Sequence, residues 1–558
     1  MFKTKKSIYI VLIAGFFISA TTVTSTLISN KNDDNYFEIT KNIRIMASVY
    51  DNINTFYVDE PEPGNLMKKG IDAMLRSLDP YTVYIPESDI EDYRFMTTGQ
   101  YGGIGAMIKT QDSYIVISEA YEDCPTDKAG IIAGDILLEI DGKSVIGKTI
   151  NEMSAILKGG AGTALNVKYE RDGVTSETAI TREVIKIPSV PYYGMVDDEI
   201  GYVKLNSFTS TASSDVFKAM KYLKDSSGMK KLVFDLRGNG GGLLHESVNI
   251  VNFFIGKGKK VVATKGRLTD LNRDYKTLNT PFDEEMPVVV LVDGYSASAS
   301  EIVSGSLQDF DRAVIIGMTT YGKGLVQQTK DLNFGSKIKL TIAKYYTPSG
   351  RCIQKLDYAN RDDRGAVSEV ADSLIKTFTT KNGREVKDGR GVEPEIKIEP
   401  GVYSKLTSVL VLKNYIFNYA TDFKRAHTEI AAANTFSLSE TDYNNFIAYL
   451  GDKEIKYTTD SEEILQELKE VAKDEKYYES SEVEFNALLA KLKPSLNEDM
   501  VRYKDEIIEL LENEIVSRYY YQNGRVEASL KNDPYMKEAK DVLQNQVRYK
   551  GILAGESK

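Results

Sequence analysis

Hydrophobic and polar positions follow different rhythms in successive parts of the chain. In residues 37–96, apolar residues recur at spacings of three and four, as in "ITKNIRIMASVYDNINTFYV", which indicates amphipathic helices. From about residue 101 the pattern changes to short extended runs such as "YGGIGAMIKT" and "SYIVISEA". From about residue 401, charged and tyrosine-bearing helical patterns such as "SEEILQELKEVAKDEKYY" take over. This order predicts several domains of different class.

Strands and helices alternate in the middle of the chain. The extended stretches "IGYVKLNSF", "KKLVFDL", "PVVVLV" and "RAVIIG" are separated by amphipathic stretches such as "SSDVFKAMKYLKDS" and "SASEIVSGSLQDF". Such alternation predicts an α/β core. In α/β cores, the loops at the carboxyl ends of strands and the following helix N-termini form the usual functional site. We therefore expect the chemistry of this chain to lie in those loops.

The first residues have the pattern of an export signal. Lys3, Lys5 and Lys6 precede an uncharged segment that runs to Asn30, and its strongly apolar part, residues 8–18, has the length of a secretory h-region. The whole uncharged run could also span a bilayer of about 30 Å, and no clean A-x-A cleavage site follows it. A cleaved signal peptide and a retained inner-membrane anchor both stay open. In either case we expect the bulk of the protein outside the inner membrane.

Composition excludes several classes of function. A chain of 558 residues favours three or more domains, because single cores stop growing near about 250 to 300 residues. The formal charge of −11 argues against a nucleic-acid binder, which needs a basic face. Cys124 and Cys352 are too few for a disulfide scaffold, and His245 and His427 cannot form a His-rich zinc site. We expect no metal and no cofactor.

Three loops of the α/β core carry candidate chemistry: "FDLRGNGGG", "SASASE" and "TTYGKGLVQQ". A serine nucleophile needs a base, usually histidine, but His245 is the only histidine near these motifs and by default is an ordinary helix residue. Lysine can replace histidine if burial lowers its pKa from about 10.4 to about 7 to 8. Lys323 is flanked by glycines and apolar residues without acids, which suits that role. On spacing alone, a solvated turn lysine is the alternative.

In order and spacing, these motifs resemble those of the C-terminal processing peptidases, also called tail-specific proteases. The resemblance rests on "DLRGNGGG", "GYSASASEIVSGSLQD", "TTYGKGLVQ", "YYTPSGRCIQ" and "GVEPEI". "GGIGA" and "CPTDKAGIIAGDILLEIDG" add a likeness to a PDZ domain. The resemblance implies a multidomain α/β fold, with an α/β (crotonase/ClpP-like) protease core, an inserted PDZ domain, an N-terminal helical cap and a C-terminal helical domain.

The patterns and the resemblance together predict five segments along the chain. They are a signal peptide or signal anchor at residues 1–30, an N-terminal helical region at 36–98, a PDZ domain at 99–185, the peptidase core at 186–400 and a C-terminal helical domain at 401–558. We interpret the charge runs of the last segment as solvated faces. A role for them in oligomer or substrate contacts is the alternative.

Carried over position by position, the resemblance implies that Ser298 is the nucleophile and Lys323 the general base. Gln327 matches a glutamine that positions the lysine. The two would share a face if the segment after Gly324 is helical, because residues four apart are neighbours on a helix.

The resemblance also implies an oxyanion hole made by the Ala299 N–H and one N–H of the glycine run, with Gly241 the first choice. Glu301 matches an acid often found near the serine, and a helix-capping role is an equal alternative for it.

Local geometry agrees with the choice of the middle serine. If the helix starts just after Tyr295, residues two apart point about 200° apart, so Ser298 cannot share its direction with Ser296 or Ser300. We expect those two serines to cap the helix or to bond the backbone.

The PDZ resemblance places a carboxylate-binding loop in "GGIGA". A peptide's terminal carboxylate needs several converging backbone N–H donors, and glycines let the backbone approach it closely. The N–H groups of Ile104, Gly105 and Ala106 are the candidates. The alternative is that the glycines only shape a turn.

Taken together, the resemblance implies an exported serine endopeptidase of the cell envelope, periplasmic or otherwise extracytoplasmic. Its partners would be protein or peptide substrates with exposed C-terminal tails, and homo-oligomer formation stays open. A catalytically inactive PDZ scaffold that binds the C-termini of envelope proteins is the alternative, although a scaffold has no need of the Ser, Lys, Gln and Gly set. An acyl-CoA-processing enzyme is a third hypothesis, disfavoured because an exported protein has no obvious CoA supply.

Overall fold

The computed structural model describes residues 33–556 apart from positions 363, 400 and 452. The chain divides into a small unit that ends at Tyr84 and a large unit from Ile85 onward. The predicted export segment, residues 1–30, lies outside the described residues. Within the described part, no helix combines the length and the apolar character that a membrane span requires.

The small unit is helical, as the spacing of its apolar residues predicts. It contains α1 (Asp33–Phe56) and α2 (Pro63–Arg76), and α2 begins with a proline, whose fixed φ and missing N–H suit a first helical turn. The short strand β1 (Val83–Ile85) follows at the boundary. The large unit then opens with a 3₁₀ turn and α3 (Ile90–Thr98), which ends at a left-handed glycine.

The segment predicted to be a PDZ domain folds as a small antiparallel sheet with two short helices. Its elements are β2 (Gln100–Gly103), β3 (Ala106–Gln111), β4 (Tyr114–Ala120), α4 (Pro125–Lys128), β5 (Ile136–Ile140), β6 (Lys143–Ser144), α5 (Ile150–Leu157), β7 (Ala164–Arg171), β8 (Val174–Thr181) and β9 (Glu183–Lys186). The main sheet has the order β3-β4-β5-β7-β8, so β3 is an edge strand, and β2 pairs with β9. A capping box between Thr149 and Glu152 starts α5.

The described part of the predicted α/β core contains two larger sheets and two two-stranded sheets. Its elements are β10 (Tyr192–Met195), β11 (Ile200–Lys204), α6 (Ala212–Ser227), β12 (Lys231–Asp235), α7 (Leu244–Val251), β13 (Lys260–Gly266), β14 (Arg273–Lys276), β15 (Val288–Val292), α8 (Ala299–Asp309), β16 (Val314–Gly317), β17 (Leu325–Asp331), β18 (Lys337–Tyr346), β19 (Leu356–Arg361), β20 (Val367–Glu369), β21 (Thr377–Thr379), β22 (Glu385–Lys387) and β23 (Ile396–Lys397). The larger sheet has the order β10-β11-β12-β15-β16-β23 and is parallel except for β10. The smaller sheet pairs β17, β18, β13 and β14 antiparallel.

The parallel strands bring the three candidate loops to one edge of the sheet. Asp235 lies opposite Leu291, so the glycine loop (236–243) after β12 and the serine loop (293–298) after β15 leave the sheet side by side. The lysine loop (318–324) follows β16, the next parallel neighbour. The three candidate loops therefore meet at the carboxyl ends of neighbouring strands, where we expect the chemistry to lie.

The C-terminal region is helical and consists of α9 (Lys405–Leu412), α10 (Tyr415–Ala426), α11 (Glu440–Leu450), α12 (Asp460–Asp474), α13 (Tyr478–Leu492), α14 (Leu496–Arg502), α15 (Lys504–Ser529), α16 (Pro534–Gln544) and α17 (Gln546–Ala554). Most of these helices share a core of their own, around Leu410, Phe446 and Ile515. The last two behave differently, because Val542 and Leu543 of α16 pack against the peptidase sheet.

The two faces of the parallel sheet are therefore covered by different parts of the chain. Val288 and Val290 pack with α6, α7 and α8, whereas Val289 and Leu291 pack with α16 and α17, following the two-residue alternation of a strand. The last two helices of the predicted C-terminal helical domain thus also cover one face of the peptidase sheet, a contact that the sequence does not predict.

Candidate active site

The serine loop ends in a strained turn. β15 runs to Val292 and α8 begins at Ala299, so Ser298 is the residue that caps the helix. Its backbone has φ 56° and ψ −108°, a conformation that residues other than glycine rarely adopt. Its N–H donates to Glu301 Oε2 at 2.7 Å. The strand, the helix and this hydrogen bond together hold the serine in its turn.

Helix α8 begins three residues later than predicted. The expectation that it starts just after Tyr295 is wrong, so the 200° argument does not separate the three serines. Hydrogen bonds separate them instead: Ser296 Oγ and Ser300 Oγ each donate to a backbone carbonyl of the glycine loop at 2.8 Å, and both side chains are fully buried. Of the three serines, Ser298 alone lines the cavity described below.

The glycine loop presses against the serine loop. A Cβ on Gly241 would lie 2.7 Å from the Ala297 carbonyl oxygen and 3.0 Å from the Ala299 nitrogen, and φ at Gly241 is +102°, so only glycine fits there. Asn239 ties the loops together, since its carbonyl accepts the Ala297 N–H at 3.0 Å and its Nδ2 donates to the Leu205 carbonyl at 2.7 Å.

The structure qualifies the predicted oxyanion donors. The Gly241 N–H donates to Asn239 Oδ1 at 2.9 Å and is therefore already engaged. Gly240 and Gly242 line the same cavity, and their N–H groups have no hydrogen-bond acceptor in the part of the chain that the structure describes. The Ala299 N–H, in the first turn of α8, is next to this loop. An oxyanion hole between Ala299 and the glycine loop stays a prediction, with three glycines as candidates.

A buried carboxylate joins the serine loop to the lysine loop. Glu301 Oε2, which accepts the Ser298 N–H, also accepts the Lys323 N–H at 2.9 Å. Its Oε1 accepts the Gly322 N–H at 2.7 Å and the Thr320 hydroxyl at 2.6 Å. Burial raises the pKa of Glu301, and these four donors oppose that rise. Glu301 does cap the helix, as the sequence analysis allows, but it also fixes the loop that carries Lys323.

Gln327 does not lie on a helix. The segment after Gly324 is strand β17, so the helical premise for a shared face with Lys323 is wrong. The residues of this segment form backbone hydrogen bonds with β18, and the local sequence pattern does not predict this pairing. Gln327 Nε2 donates to Thr341 Oγ1 on β18 at 3.1 Å. Gln327 and Lys323 nevertheless line the same cavity.

One cavity of about 820 Å³ is lined by all the residues predicted for the catalytic centre and the oxyanion hole. These residues are Ser298, Lys323, Gln327, Ala299 and Gly241. The sequence analysis missed others, which come from α3, from β18 and from the loop after β11: Tyr93, Phe95, Met96, Asn206, Ser207, Lys339 and Tyr345.

Tyr345 and Lys339 differ in whether the sequence around them could have indicated a place in the site. Tyr345 is fully buried, and its hydroxyl donates to the Ser298 carbonyl at 3.1 Å. Burial raises its pKa well above the ordinary value. Its position directly before the "YTPSGR" stretch could have marked it. Lys339 carries no motif, and only the pairing of β17 with β18 brings it to the cavity.

The predicted carboxylate-binding loop lies outside this cavity, at the start of edge strand β3. Gly105 has φ +72°, and a Cβ there would lie 2.3 Å from the Cys124 Cβ, so the loop depends on glycine. The N–H groups of Ile104 and Gly105 have no hydrogen-bond acceptor among the described residues. Ala106 is the first residue of β3. The three consecutive positions lie at the start of an edge strand, and their binding of a carboxylate stays a prediction.

Comparison with known proteins gives consistent matches along the chain. Residues 199–359 match the family model of peptidase family S41, residues 116–171 a PDZ domain, and residues 406–543 the C-terminal helical domain of probable PDZ-proteases. A carboxy-terminal-processing protease of Bartonella bacilliformis is 36% identical over 351 residues, which are 62% of this chain and 80% of the relative.

Two further relatives extend the comparison. A probable CtpA-like serine protease of Staphylococcus haemolyticus is 31% identical over 410 residues, 73% of this chain and 74% of the relative. Among solved structures, that of a photosystem II D1 C-terminal processing protease is 26% identical, covers 64% of this chain and 93% of its own, and superposes with a TM-score of 0.35.

Proposed function

Because this chain belongs to the carboxy-terminal-processing proteases of peptidase family S41 and is a serine peptidase, we propose that it is an exported endopeptidase with a Ser298–Lys323 dyad. Its substrates are peptides or proteins, and the proposal adds that the PDZ domain holds their C-terminal tails. The observation that carries the dyad is the shared carboxylate: Ser298 and Lys323 donate their N–H groups to the same oxygen of Glu301 and line one cavity.

In the proposed mechanism Lys323, in its neutral form, takes the proton of Ser298 Oγ as this oxygen attacks the scissile carbonyl. The oxyanion that develops accepts hydrogen bonds from the Ala299 N–H and from the glycine loop. Lys323 then protonates the leaving amine, and the acyl-enzyme forms on Ser298. Water, deprotonated by the same lysine, attacks the ester and releases the new chain end.

The residues around Ser298 and Lys323 support the nucleophile and base roles proposed for them. Glu301 accepts the N–H groups of both Ser298 and Lys323, and so it holds the backbones of the two residues at a fixed separation. Gln327 extends into the cavity from the strand that follows the lysine loop, where it can orient the ammonium or amine of Lys323. Tyr345 anchors the Ser298 carbonyl from the other side.

Tail recognition is proposed for the edge of the PDZ sheet. A chain end could add as a strand beside β3, with its carboxylate at the N–H groups of Ile104 and Gly105. The apolar side chains of Ile104, Met153 and Leu157 form part of the core between this edge and α5, which favours an apolar last residue of the tail. The basic and then uncharged N-terminal sequence supports export to the cell envelope.

The test is cleavage of a protein that ends in an apolar tail. We expect Ser298→Ala and Lys323→Ala each to lower kcat by about 10⁴-fold or more, because the members of a catalytic unit act together. The Lys330→Ala variant, which changes an exposed lysine of β17, should cleave at the wild-type rate. Full activity in either the Ser298→Ala or the Lys323→Ala variant would contradict the proposed dyad.

A second measurement separates the enzyme from the scaffold alternative. A fluorophosphonate probe should label the wild-type serine, and it should not label the Ser298→Ala variant. Tail-peptide binding without labelling of the wild type would favour a catalytically inactive PDZ scaffold. The Ser298→Ala protein, used to capture bound proteins from an envelope extract, would then identify natural substrates.

A further inference from the structure

The cavity around the proposed dyad has a charge opposite to that of the whole chain. The chain carries a formal charge of −11, yet the charged residues that line the cavity are two lysines, Lys323 and Lys339, and no carboxylate lines it within the described chain. Lys323 has a proposed role in the chemistry. Lys339 has none, and its position calls for an explanation.

Lys339 lies on β18, beyond the dyad. It is paired with Thr329, whereas Gln327 is paired with Thr341, so Lys339 is two residues further along the hairpin than the proposed lysine-positioning residue. Two residues of an extended strand span about 7 Å. A peptide lying extended in the cavity has the same rise, so a substrate residue about two or three positions from the scissile bond would reach Lys339.

The ammonium of Lys339 has no partner in the described part of the chain. It forms no hydrogen bond, ion pair or ring contact there, although its side chain is partly buried and burial lowers its pKa. The other lysines of the hairpin differ: Lys337 is paired with Asp331, and Lys330 and Lys344 are exposed to solvent. A half-buried cation without an anion is costly unless a ligand supplies one.

We propose that Lys339 forms a subsite for a carboxylate of the substrate, within about three residues of the scissile bond. The carboxylate can come from an aspartate or glutamate side chain or from the end of the substrate chain. Either one would form a charge-assisted hydrogen bond with the ammonium in a place partly shielded from bulk water. The inference rests on the proposed function, because it assigns a substrate class to the same cleft.

The test is a set of matched peptides cleaved by the full-length protein. One series places Glu or Gln at each of the three positions on either side of the scissile bond, and another compares a free with an amidated C-terminus near that bond. We expect the wild type to prefer the carboxylate form at one position by about tenfold or more in kcat/KM, the size expected for a hydrogen bond to a charged group. The responding series identifies the source of the carboxylate.

Variants of Lys339 then test the assignment. Lys339→Gln and Lys339→Met should both abolish the preference and leave cleavage of the Gln peptide within about twofold, and Lys339→Glu should reverse the preference toward a Lys peptide. Lys330→Glu, on the solvent side of the same hairpin, should keep the wild-type ratio. An unchanged Glu-to-Gln ratio in Lys339→Gln and Lys339→Met, or a wild type without any carboxylate preference, overturns the subsite. Both results leave Ser298-dependent cleavage intact, so they are distinguishable from failure of the proposed function.

Discussion

The two sides of the cleft are built differently. On the serine side, buried side chains tie the glycine loop and the serine loop to each other, through Ser296, Ser300 and Asn239. On the lysine side, Lys323 precedes a two-stranded hairpin whose tip extends into solvent, where Phe334 is 93% exposed. Ser298 is thus fixed from within the core, whereas Lys323 lies at the root of a hairpin whose far end is exposed.

Several hydrogen bonds hold the root of this hairpin, among them those from the Lys355 N–H to the Gly322 carbonyl and from the Tyr345 N–H to the Gly324 carbonyl, both at 2.9 Å. The Gly324 N–H donates to Gln354 Oε1 at 2.8 Å, and the N–H groups of Gly322 and Lys323 donate to Glu301. Glu301 belongs to helix α8, which begins at the serine loop. The lysine side is therefore positioned in part by the serine side, through Glu301 and through the Tyr321 N–H, which donates to the Ser296 carbonyl at 3.1 Å.

The largest effect is expected for Glu301→Ala. The change leaves the N–H groups of Ser298, Gly322 and Lys323 and the hydroxyl of Thr320 without their acceptor in a buried site. Each unsatisfied donor costs about 1 to 3 kcal/mol, so the free energy of unfolding should fall by several kcal/mol and kcat/KM by about 10³-fold or more. Chemical denaturation and peptide cleavage measure the two effects.

The control for this variant is Glu369→Ala, which removes a partly exposed carboxylate that pairs with Lys355. Its effect on the free energy of unfolding should stay below about 1 kcal/mol. If Glu301→Ala retained activity within tenfold of the wild type, the lysine side would be positioned by other contacts, and the comparison of the two sides would be wrong.

Gly241→Ala tests the rigidity of the serine side. The added methyl group would meet the Ala297 carbonyl oxygen at 2.7 Å and Ser298 Cβ at 3.0 Å, on a backbone with φ +102°. Because neighbouring bonds hold both loops, the strain should displace Ser298, and kcat should fall by about 10²-fold with little change in KM. Gly294→Ala, where a Cβ meets no atom within 4 Å, should be nearly neutral. Equal activities of these two variants would mean that the serine loop shifts to accept the added methyl group without displacing Ser298, and that the serine side is not rigid.

The two sides also differ in how well the sequence predicts them. The serine side follows local rules: an apolar strand, a turn and an amphipathic helix in "PVVVLVDGYSASASEIVSGSLQDF" predict β15 and α8, with an error only in the start of the helix. That error arises because Ser298 is held at positive φ by Glu301 and by the glycine loop, which are tertiary contacts. On the lysine side, the helix considered for the segment after Gly324 does not form. The segment is strand β17 instead, because it pairs with β18, and the local pattern does not show this pairing.

The same distinction applies to the rest of the fold. The α/β alternation and the helical end regions could be predicted, since each has a local period, whereas the PDZ domain is expected from a resemblance to known sequences. The packing of α16 and α17 on the peptidase sheet could not be predicted, because an amphipathic helix shows that it has an apolar face but not what covers it. Lys339 escapes prediction for a related reason: only the pairing of β17 with β18 brings it to the cavity.

A smaller effect is expected for Gln327→Ala on the lysine side. Gln327 contacts Thr341 Oγ1 and lines the cavity beside Lys323, so its loss should misplace the base and lower kcat by about tenfold. If Thr341 orients Gln327, then Gln327→Ala and Thr341→Val should be non-additive in a double-mutant cycle of kcat. Additive losses would mean that the glutamine acts without this hydrogen bond.

The smallest effect is expected for Asp533→Ser, which tests how far the serine side extends into the C-terminal helices. Arg237, at the start of the glycine loop, donates to Asp533 Oδ2 at 2.6 Å and also binds the fully buried Asp235. Serine can still cap α16 but cannot reach Arg237. Since the pair with Asp235 remains, kcat should fall only about two- to fivefold, and Asp541→Ser, which removes an ion pair to Arg548 within the same helical pair, should leave it unchanged. A loss as large as that of Gly241→Ala would mean that the rigidity of the serine side comes from the C-terminal helices rather than from bonds between its own loops.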